Sequence, residues 1–169
     1  MTIISGTAYW TKVMVPDTTH DSDGVWSINV GDLDKKNADI ARADGLTVNN
    51  RDEEIKAKGS KWVMGDYVTL KRKVRNQKTG ALNSPPSVYD AQRRPVMDTD
   101  IGNGSIVNVK YSPYNWNYNG KPGTSGDLKV VQVTDLVHYS KGGNDLEGFE
   151  VVPDGYSADS TDEDISLAP

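Results

Sequence analysis

Apolar and polar residues alternate along several short segments, and this period of two is typical of β-strands that pack one face on a core. The alternation predicts strands over residues 5–15, 25–30, 67–74 and 105–112, with a long last strand over 127–139. Brief strands are also predicted at 88–90 and 95–97. Pro16-Asp17 and Gly102-Asn103-Gly104 are among the turn formers that separate these segments. The chain is therefore predicted to be mostly β.

The period changes over residues 33–43, where Leu33, Ile40 and Ala41 follow helical spacing and Gly45 provides a stop. This segment predicts one short helix. Residues 51–60 indicate either a further turn of helix or a charged loop, and residues 114–126 are predicted to be an aromatic piece followed by a Gly/Pro loop. About five or six main strands with a helix between early ones suit a small Greek-key barrel.

Charge divides the chain into two parts. Residues 142–169 contain eight Asp or Glu and no Lys or Arg, so they carry −8, whereas the totals of 24 acidic and 19 basic residues leave 16 against 19, or +3, for residues 1–141. The sequence predicts one folded domain over 1–141 and an acidic, largely flexible tail over 142–169. The net charge of −5 therefore hides a basic domain.

Cysteine is absent, so disulfides and thiolate metal sites are excluded and a reducing compartment is favoured. The first residues, MTIISGTAYW, do not have the charged and apolar regions of a signal peptide, and no run of 18 apolar residues occurs. We expect neither secretion by this route nor membrane insertion.

A cluster of basic residues is the first candidate for function. Residues 56–94 contain ten Lys or Arg and only two acids, Asp66 and Asp90. Such a one-signed surface is what neutralisation of nucleic-acid phosphates requires, although a solvated β face could also be basic.

Aromatic residues are the second candidate, because unpaired bases stack on exposed rings. The set consists of Trp10, Trp26, Trp62, Tyr67, Tyr111, Tyr114, Trp116 and Tyr118. Trp10 and Trp26 lie in alternating strands and are predicted to be core residues, whereas Trp116, between two asparagines, is predicted to be exposed.

Catalytic patterns are weak. The sequence has no phosphate-binding glycine loop, HExxH or GxSxG motif. Asp98-Thr99-Asp100, and the group of Asp17, His20, Asp21 and Asp23, could ligate a hard metal, but carboxylates in loops are ordinary turn formers. No metal or cofactor is predicted.

The segment 65–139 contains, in order, a basic strand (LKRKVR), a loop with PPSVYDAQRRPV, a glycine-led strand (GNGSIVNVKYSPYNW) and the last strand (DLKVVQVTDLVHY), and an acidic tail follows. In this order of elements the segment resembles the single-stranded DNA-binding proteins of tailed bacteriophages. The tails of that family close on an aromatic residue, whereas this chain closes on ISLAP. The resemblance implies an OB-fold-like five-stranded Greek-key barrel with one or two short helices and long loops.

The resemblance further implies a non-enzymatic protein that coats single-stranded DNA, without sequence specificity, during phage replication and recombination in the cytoplasm of the infected bacterial host. The tail, through Asp159, Asp162, Glu163 and Asp164, would contact replication proteins such as a polymerase or helicase, and a homodimer is left open. The residues expected at phosphates are Lys12, Lys71, Arg72, Lys73, Arg75, Arg93, Arg94 and Lys110, and those expected to stack on bases are Trp62, Tyr67, Tyr111, Tyr114 and Trp116.

Two other classes remain open. A phage structural or secreted β module that binds protein or carbohydrate would share the loop rich in Tyr, Trp and Asn, but it has less need of the basic strand. A metal-dependent nuclease would share the basic face, but it should bring carboxylates together in a pocket.

Overall fold

The computed structural model describes residues 1–59, 62–138, 150 and 152–156. The chain separates into two units, Met1–Tyr139 and Ser140–Pro169. Only residues 150 and 152–156 of the second unit are described, so the boundary predicted after residue 141 stays a prediction. Asp159, Asp162, Glu163 and Asp164 lie outside the described residues.

The described residues of the first unit form seven strands and two helices. In chain order they are β1 (Thr2–Asp17), β2 (Val25–Gly31), α1 (Lys35–Ala43), β3 (Asn49–Asn50), α2 (Asp52–Lys58), β4 (Asp66–Lys73), β5 (Ser87–Tyr89), β6 (Ile106–Tyr118) and β7 (Lys121–Asp135).

Five of the strands close into a barrel in the order β4-β2-β1-β6-β7. The neighbouring pairs within this order are antiparallel, and the sheet closes through a parallel contact between β4 and β7 at Lys71 and Asp127. β3 extends the sheet beside β4, and β5 pairs in parallel with β7. The predicted OB-fold-like five-stranded barrel with short helices is confirmed.

The core lies inside the barrel because alternate residues of each strand point inward. Fully buried examples are Ile4 of β1, Ile28 of β2, Leu70 of β4, Val109 of β6 and Leu128 of β7. The core is mainly aliphatic, with Tyr67 and Tyr111 among its aromatic members, and Trp26 is buried as predicted.

The helix α1 begins after Asp34, whose side chain accepts a hydrogen bond from the Asn37 backbone N–H. This cap supplies a partner for an amide that the first helical turn leaves unsatisfied. Ala38 and Ala41 are buried against the core, and the Asn37 side chain accepts a bond from the Ser5 backbone N–H. The predicted helix is confirmed, and the segment around 51–60 contains α2.

The prediction of a Gly/Pro loop through residue 126, after the aromatic piece that begins at residue 114, is wrong. β6 and β7 continue as a paired hairpin from Pro113 opposite Gly126 to Tyr118 opposite Lys121. The connection is Asn119-Gly120, both with positive φ (51° and 79°), and asparagine followed by glycine favours the tight turn that matches strand twist. We call residues 113–126 the hairpin arm.

Another difference concerns residues 95–97, which were predicted as a strand. Only Pro95 makes a bridge, opposite Tyr89, and the bonds on either side of it are from the Val96 N–H to the Val88 carbonyl and from the Asp90 N–H to the Arg94 carbonyl. In the part of the chain that is described, no helix has the length and apolar character needed to span a membrane.

Candidate nucleic-acid interface

A groove of about 1050 Å³ runs along one side of the barrel. One wall is β4 with the loop that follows it, a second is the hairpin arm, and the β1–β2 loop closes one end. Lys71, Lys73 and Lys78 line the first wall, and Tyr114, Trp116 and Tyr118 line the arm. The basic and the aromatic candidates of the sequence therefore meet in one place.

The lysines share a face because of strand pairing. Lys12 of β1 lies opposite Ser27 of β2, and Ser27 lies opposite Lys71 of β4, so the three form a row across the sheet. Lys73 is two residues further along β4 and points to the same side. We call Lys12, Lys71 and Lys73 the lysine face; none of them has a salt-bridge partner among the described residues.

The aromatic rings of the hairpin arm also share one side of a strand. Tyr114, Trp116 and Tyr118 occupy alternate positions of β6, so their side chains leave the same side of the strand. They are 48%, 42% and 71% exposed. Exposure of this much aromatic surface at three successive positions is unusual for a structural hairpin and suits stacking with planar ligands.

Trp116 is held by its neighbours on β7. Its partner across the hairpin is Gly123, and a Cβ at that position would overlap the indole ring. The indole N–H donates to the Ser125 hydroxyl at 2.8 Å. One face of the ring therefore lies against the glycine, which fixes the ring in place before any ligand arrives.

Arg72 also lines the groove, but its guanidinium already has partners within the protein, so its predicted phosphate contact stays a prediction. Period two turns it away from the lysine face, where it donates to Asp127 Oδ2 at 2.8 Å and to the Ser84 carbonyl at 2.8 Å. Its side chain is 13% exposed. The guanidinium joins β4 to β7 where the barrel closes.

The Arg75 guanidinium is only partly occupied by contacts within the protein. Its guanidinium lies 3.6 Å from the Asp23 carboxylate and donates to the Gly80 carbonyl at 2.7 Å. The predicted role of Arg75 at a phosphate stays a prediction, and the present contacts tie the β1–β2 loop to β4.

Tyr67 and Tyr111 were predicted to stack on bases, and burial contradicts this. Tyr67 is 4% exposed and Tyr111 is fully buried. The Tyr111 hydroxyl donates to Asp44 Oδ2 at 2.8 Å, which connects the base of the arm to the end of α1. Burial first, and this hydrogen bond second, raise the pKa of Tyr111.

Arg93 and Lys110 line a different groove, of about 550 Å³, with Ile3, Tyr89 and Gln132. This groove lies on the β1–β6–β7 side of the barrel, whereas the lysine face is on β1, β2 and β4. Arg94 follows Arg93 in the turn held by Asp90. The sequence grouped these three cations with Lys71 and Lys73, but the structure does not bring them together.

Trp10 was predicted to be a core residue, and it is exposed. It sits at φ 50°, in a bulge of β1, and is 41% exposed. Its ring lies 6.5 Å from that of Trp62, which is 39% exposed. Trp10, Tyr118 and Lys78 are the interface candidates that were left out of the sequence-based set.

Two of the carboxylates considered as metal ligands cap turns. Asp17 accepts from the Thr19 backbone N–H and Asp21 from that of Asp23. Among the described residues, no three His, Cys, Asp or Glu side chains come close enough together to hold a metal ion.

The order of the barrel strands and the parallel closure between β4 and β7 define an OB-fold. The groove between the β1–β2 loop and the β6–β7 hairpin gives this fold a basic and aromatic interface. Solved structures share this fold. gp2.5, a single-stranded DNA-binding protein encoded by bacteriophage T7, matches with a TM-score of 0.53 and 22% identity over 93% of this chain and 98% of that chain.

The single-stranded DNA-binding protein from bacteriophage Enc34, solved in complex with single-stranded DNA, matches with a TM-score of 0.57 and 12% identity over 82% of this chain and 88% of that chain. A structure of the same protein without that complex gives a TM-score of 0.55 and 11% identity over 86% and 87%. No protein-family model matches the sequence, and no curated protein matches it significantly.

Proposed function

We propose that this protein binds single-stranded DNA without sequence specificity and protects exposed strands during phage replication and recombination. The observation that carries the proposal is the groove itself. Lys71, Lys73 and Lys78, which have no salt-bridge partner among the described residues, line it together with three exposed rings. The solved structures with the same fold are of single-stranded DNA-binding proteins, and one of them is in complex with single-stranded DNA.

Binding combines two physical terms. Lysines of the lysine face neutralise phosphates and release counterions, so affinity falls as salt rises. The rings of the arm stack on bases, at about 1–3 kcal/mol per base. Because every base offers a π face, the stacking term carries little sequence information.

Stacking selects single strands over duplexes. A base that stays paired has its faces covered by its neighbours, so it cannot lie on Trp116 or Tyr114. A duplex would keep only the phosphate attraction, which is the salt-sensitive part of binding.

The acidic tail supplies the proposed protein contacts. Its carboxylates would recruit replication proteins such as a polymerase or helicase, in the cytoplasm of the infected host. A homodimer would be compatible with the same role. These three points extend the proposal on the charge of residues 142–169.

The test is a titration of labelled oligo(dT) and of a duplex of equal length, followed by fluorescence anisotropy at about 0.05 and 0.15 M salt, with and without Mg²⁺. We expect tighter binding of the single strand at both salt concentrations and no cleavage. Equal affinity at about 0.15 M salt would mean that phosphate attraction alone is at work and would refute the proposal. Cleavage that requires Mg²⁺ would favour a nuclease.

A further inference from the structure

The backbone at Trp10 is strained in a way that exposes the side chain. Trp10 and Thr11 together stand opposite Ile28, between the pairs Tyr9–Asn29 and Lys12–Ser27, which makes a bulge. Trp10 has φ 50°, a conformation that is an outlier for a bulky residue. Such strain costs about 1–3 kcal/mol and persists mainly at functional positions.

The surrounding structure holds this conformation in place. The Trp10 N–H donates to Asn103 Oδ1 at 2.7 Å, and the flanking Ala8 exchanges backbone hydrogen bonds with Ser105 and Gly104. The bulge therefore directs the indole outward on the side where Tyr9 and Lys12 also point. A bulge that re-aims a side chain is common at binding sites.

Trp10 is paired with a second exposed indole. Trp62 lies 6.5 Å away between ring centroids at 36°, and Arg51 stands over the Trp62 ring at 5.0 Å. Trp62 is fixed because its N–H reaches the hydroxyl of the buried Tyr67 at 3.5 Å. Two indoles and a guanidinium thus form a rigid aromatic surface, with no ligand-like segment of the described chain on it.

We infer that Trp10 and Trp62 form a second base-stacking subsite, at the end of the lysine face away from the hairpin arm. The inference rests on the proposed function and extends its footprint. Tyr67, beside Trp62, and Lys73, beside the arm, are six residues apart on β4, or about 20 Å, so the bound strand crosses the lysine face between two stacking sites.

The charges around the pair assign it to bases and not to phosphates. Asp32 accepts from the Tyr9 hydroxyl at 2.6 Å, and Asp52, Glu53 and Glu54 open α2 directly after Arg51. Carboxylates at this density repel a phosphate, whereas a neutral base on an indole is unaffected. Lys12, two residues along β1 toward the groove, has no salt-bridge partner among the described residues, and the phosphate lies there.

The decisive variant is Trp10→Gly. Glycine adopts positive φ without strain, so this change removes the ring and relieves the backbone together. We expect an unchanged or raised melting temperature, about tenfold weaker binding of a long oligo(dT), and an unchanged slope of log affinity against log salt. A merely structural tryptophan would give the opposite result, a lower melting temperature with unchanged affinity.

A control for the loss of an exposed apolar side chain is Met97→Gly. Met97 is 74% exposed and belongs neither to the lysine face nor to the hairpin arm nor to the indole pair. The affinity of this variant for oligo(dT) should equal that of the wild type. Trp10→Asn is a second variant, because asparagine tolerates positive φ and is also without a large ring.

The base that stacks on the Trp10 and Trp62 pair is located with oligonucleotides that each lack one base. The abasic position is moved in turn along the strand. At one position the loss from the missing base and the loss from Trp10→Gly should not add, because both remove the same stack. Additive losses at every position, or wild-type affinity of Trp10→Gly, would overturn the inference and leave the proposed function intact. Failure of the wild-type protein to bind oligo(dT) would refute the proposed function itself.

Discussion

Neighbouring residues of like charge have different roles on β4. Lys71 and Lys73 face the groove without a salt bridge, whereas Arg72 between them is held by Asp127 and Ser84. The difference follows from the period of two along a strand. The sequence predicts that Lys71 and Lys73 share a face, but it cannot reveal that Asp127, 55 residues later, will stand beside Arg72.

Replacing both lysines by alanine should weaken binding of oligo(dT) and flatten its salt dependence while the fold stays intact. For a single strand, the loss of two phosphate contacts changes the slope of log affinity against log salt by about 1.4. The measurement is anisotropy at several salt concentrations, with a thermal melt of each variant. Arg72→Ala is the control, and we expect it to lower the melting temperature, since it leaves the Asp127 carboxylate short of a partner. A steeper loss of affinity for Arg72→Ala at unchanged melting temperature would place the DNA on the other side of the strand.

The second prediction at this scale concerns Tyr111. Since the fold favours the neutral phenol, the unfolded chain loses the Tyr111 proton first as the pH rises, so the stability from this group is complete below about pH 10 and is lost above it. Tyr111→Phe should lower the free energy of unfolding by about 1 kcal/mol at pH 8, because the bond to Asp44 is gone.

Urea denaturation at pH 8 and pH 10.5 provides the check. The wild type should lose more stability between the two pH values than Tyr111→Phe, which cannot ionise there. Tyr9 provides a built-in reference, because its pKa is also raised, by burial and then by its bond to Asp32, and it is present in both proteins. Equal losses in both proteins would show that Tyr111 is not the titrating group.

At the scale of elements, the hairpin arm is where prediction from sequence failed. Residues 113–126 contain two prolines and three glycines, and this composition indicates a loop. Two signals for a hairpin were nevertheless present, namely the alternation of rings with asparagines and the Asn119-Gly120 pair. Both prolines fall in the paired region of the arm.

The hairpin arm holds the Trp116 ring in position, and a substitution at Gly123 tests this role. Gly123→Ala inserts a methyl group where the indole lies, so the ring must move although the new side chain makes no contact with DNA. We expect oligo(dT) to bind about three- to tenfold more weakly, a fraction of the 1–3 kcal/mol of one stack.

The same change in a Trp116→Ala background should have no effect, because the ring it displaces is absent. Anisotropy titration of the four proteins gives the complete cycle. Additive losses would mean that Gly123 acts on binding by another route, and a large drop in melting temperature would mean that the arm, and not the ring alone, was disturbed.

For the molecule as a whole, charge is segregated along the chain. A domain of +3 is joined to 28 residues that carry −8. A tethered segment of opposite sign competes with phosphate at a high effective concentration. Deleting residues 155–169, with four carboxylates and no cation, should therefore tighten binding of single-stranded DNA and abolish recruitment of a replication protein.

The competition is electrostatic and should fade as the Debye length falls from about 10 Å at 0.1 M salt to about 3 Å at 1 M. In titrations with single-stranded DNA, the affinities of the full-length and truncated proteins should differ at low salt and agree at high salt. A truncation that leaves low-salt affinity unchanged would assign the tail to solubility instead.

The mostly-β class, the main strands and α1 follow from local periodicity and capping, which is why the sequence alone predicts them. Partnerships between distant segments do not follow from local pattern. Tyr111 is one case, since the alternation of β6 cannot tell a buried ring from a stacking one. Trp10 is another, because a bulge reverses the side that simple alternation assigns to it.

The closure of the barrel also has a kinetic consequence. β4 and β7 are joined by one parallel residue pair, Lys71 with Asp127, and by the adjacent Arg72 bond, although 56 positions separate the paired residues in the chain. A contact of such long range and small extent forms late in folding and opens early in local unfolding. DNA that crosses the lysine face spans this seam, so we expect the bound strand to slow hydrogen exchange there more than in β1. Bound DNA would then stabilise the closure of the barrel between β4 and β7.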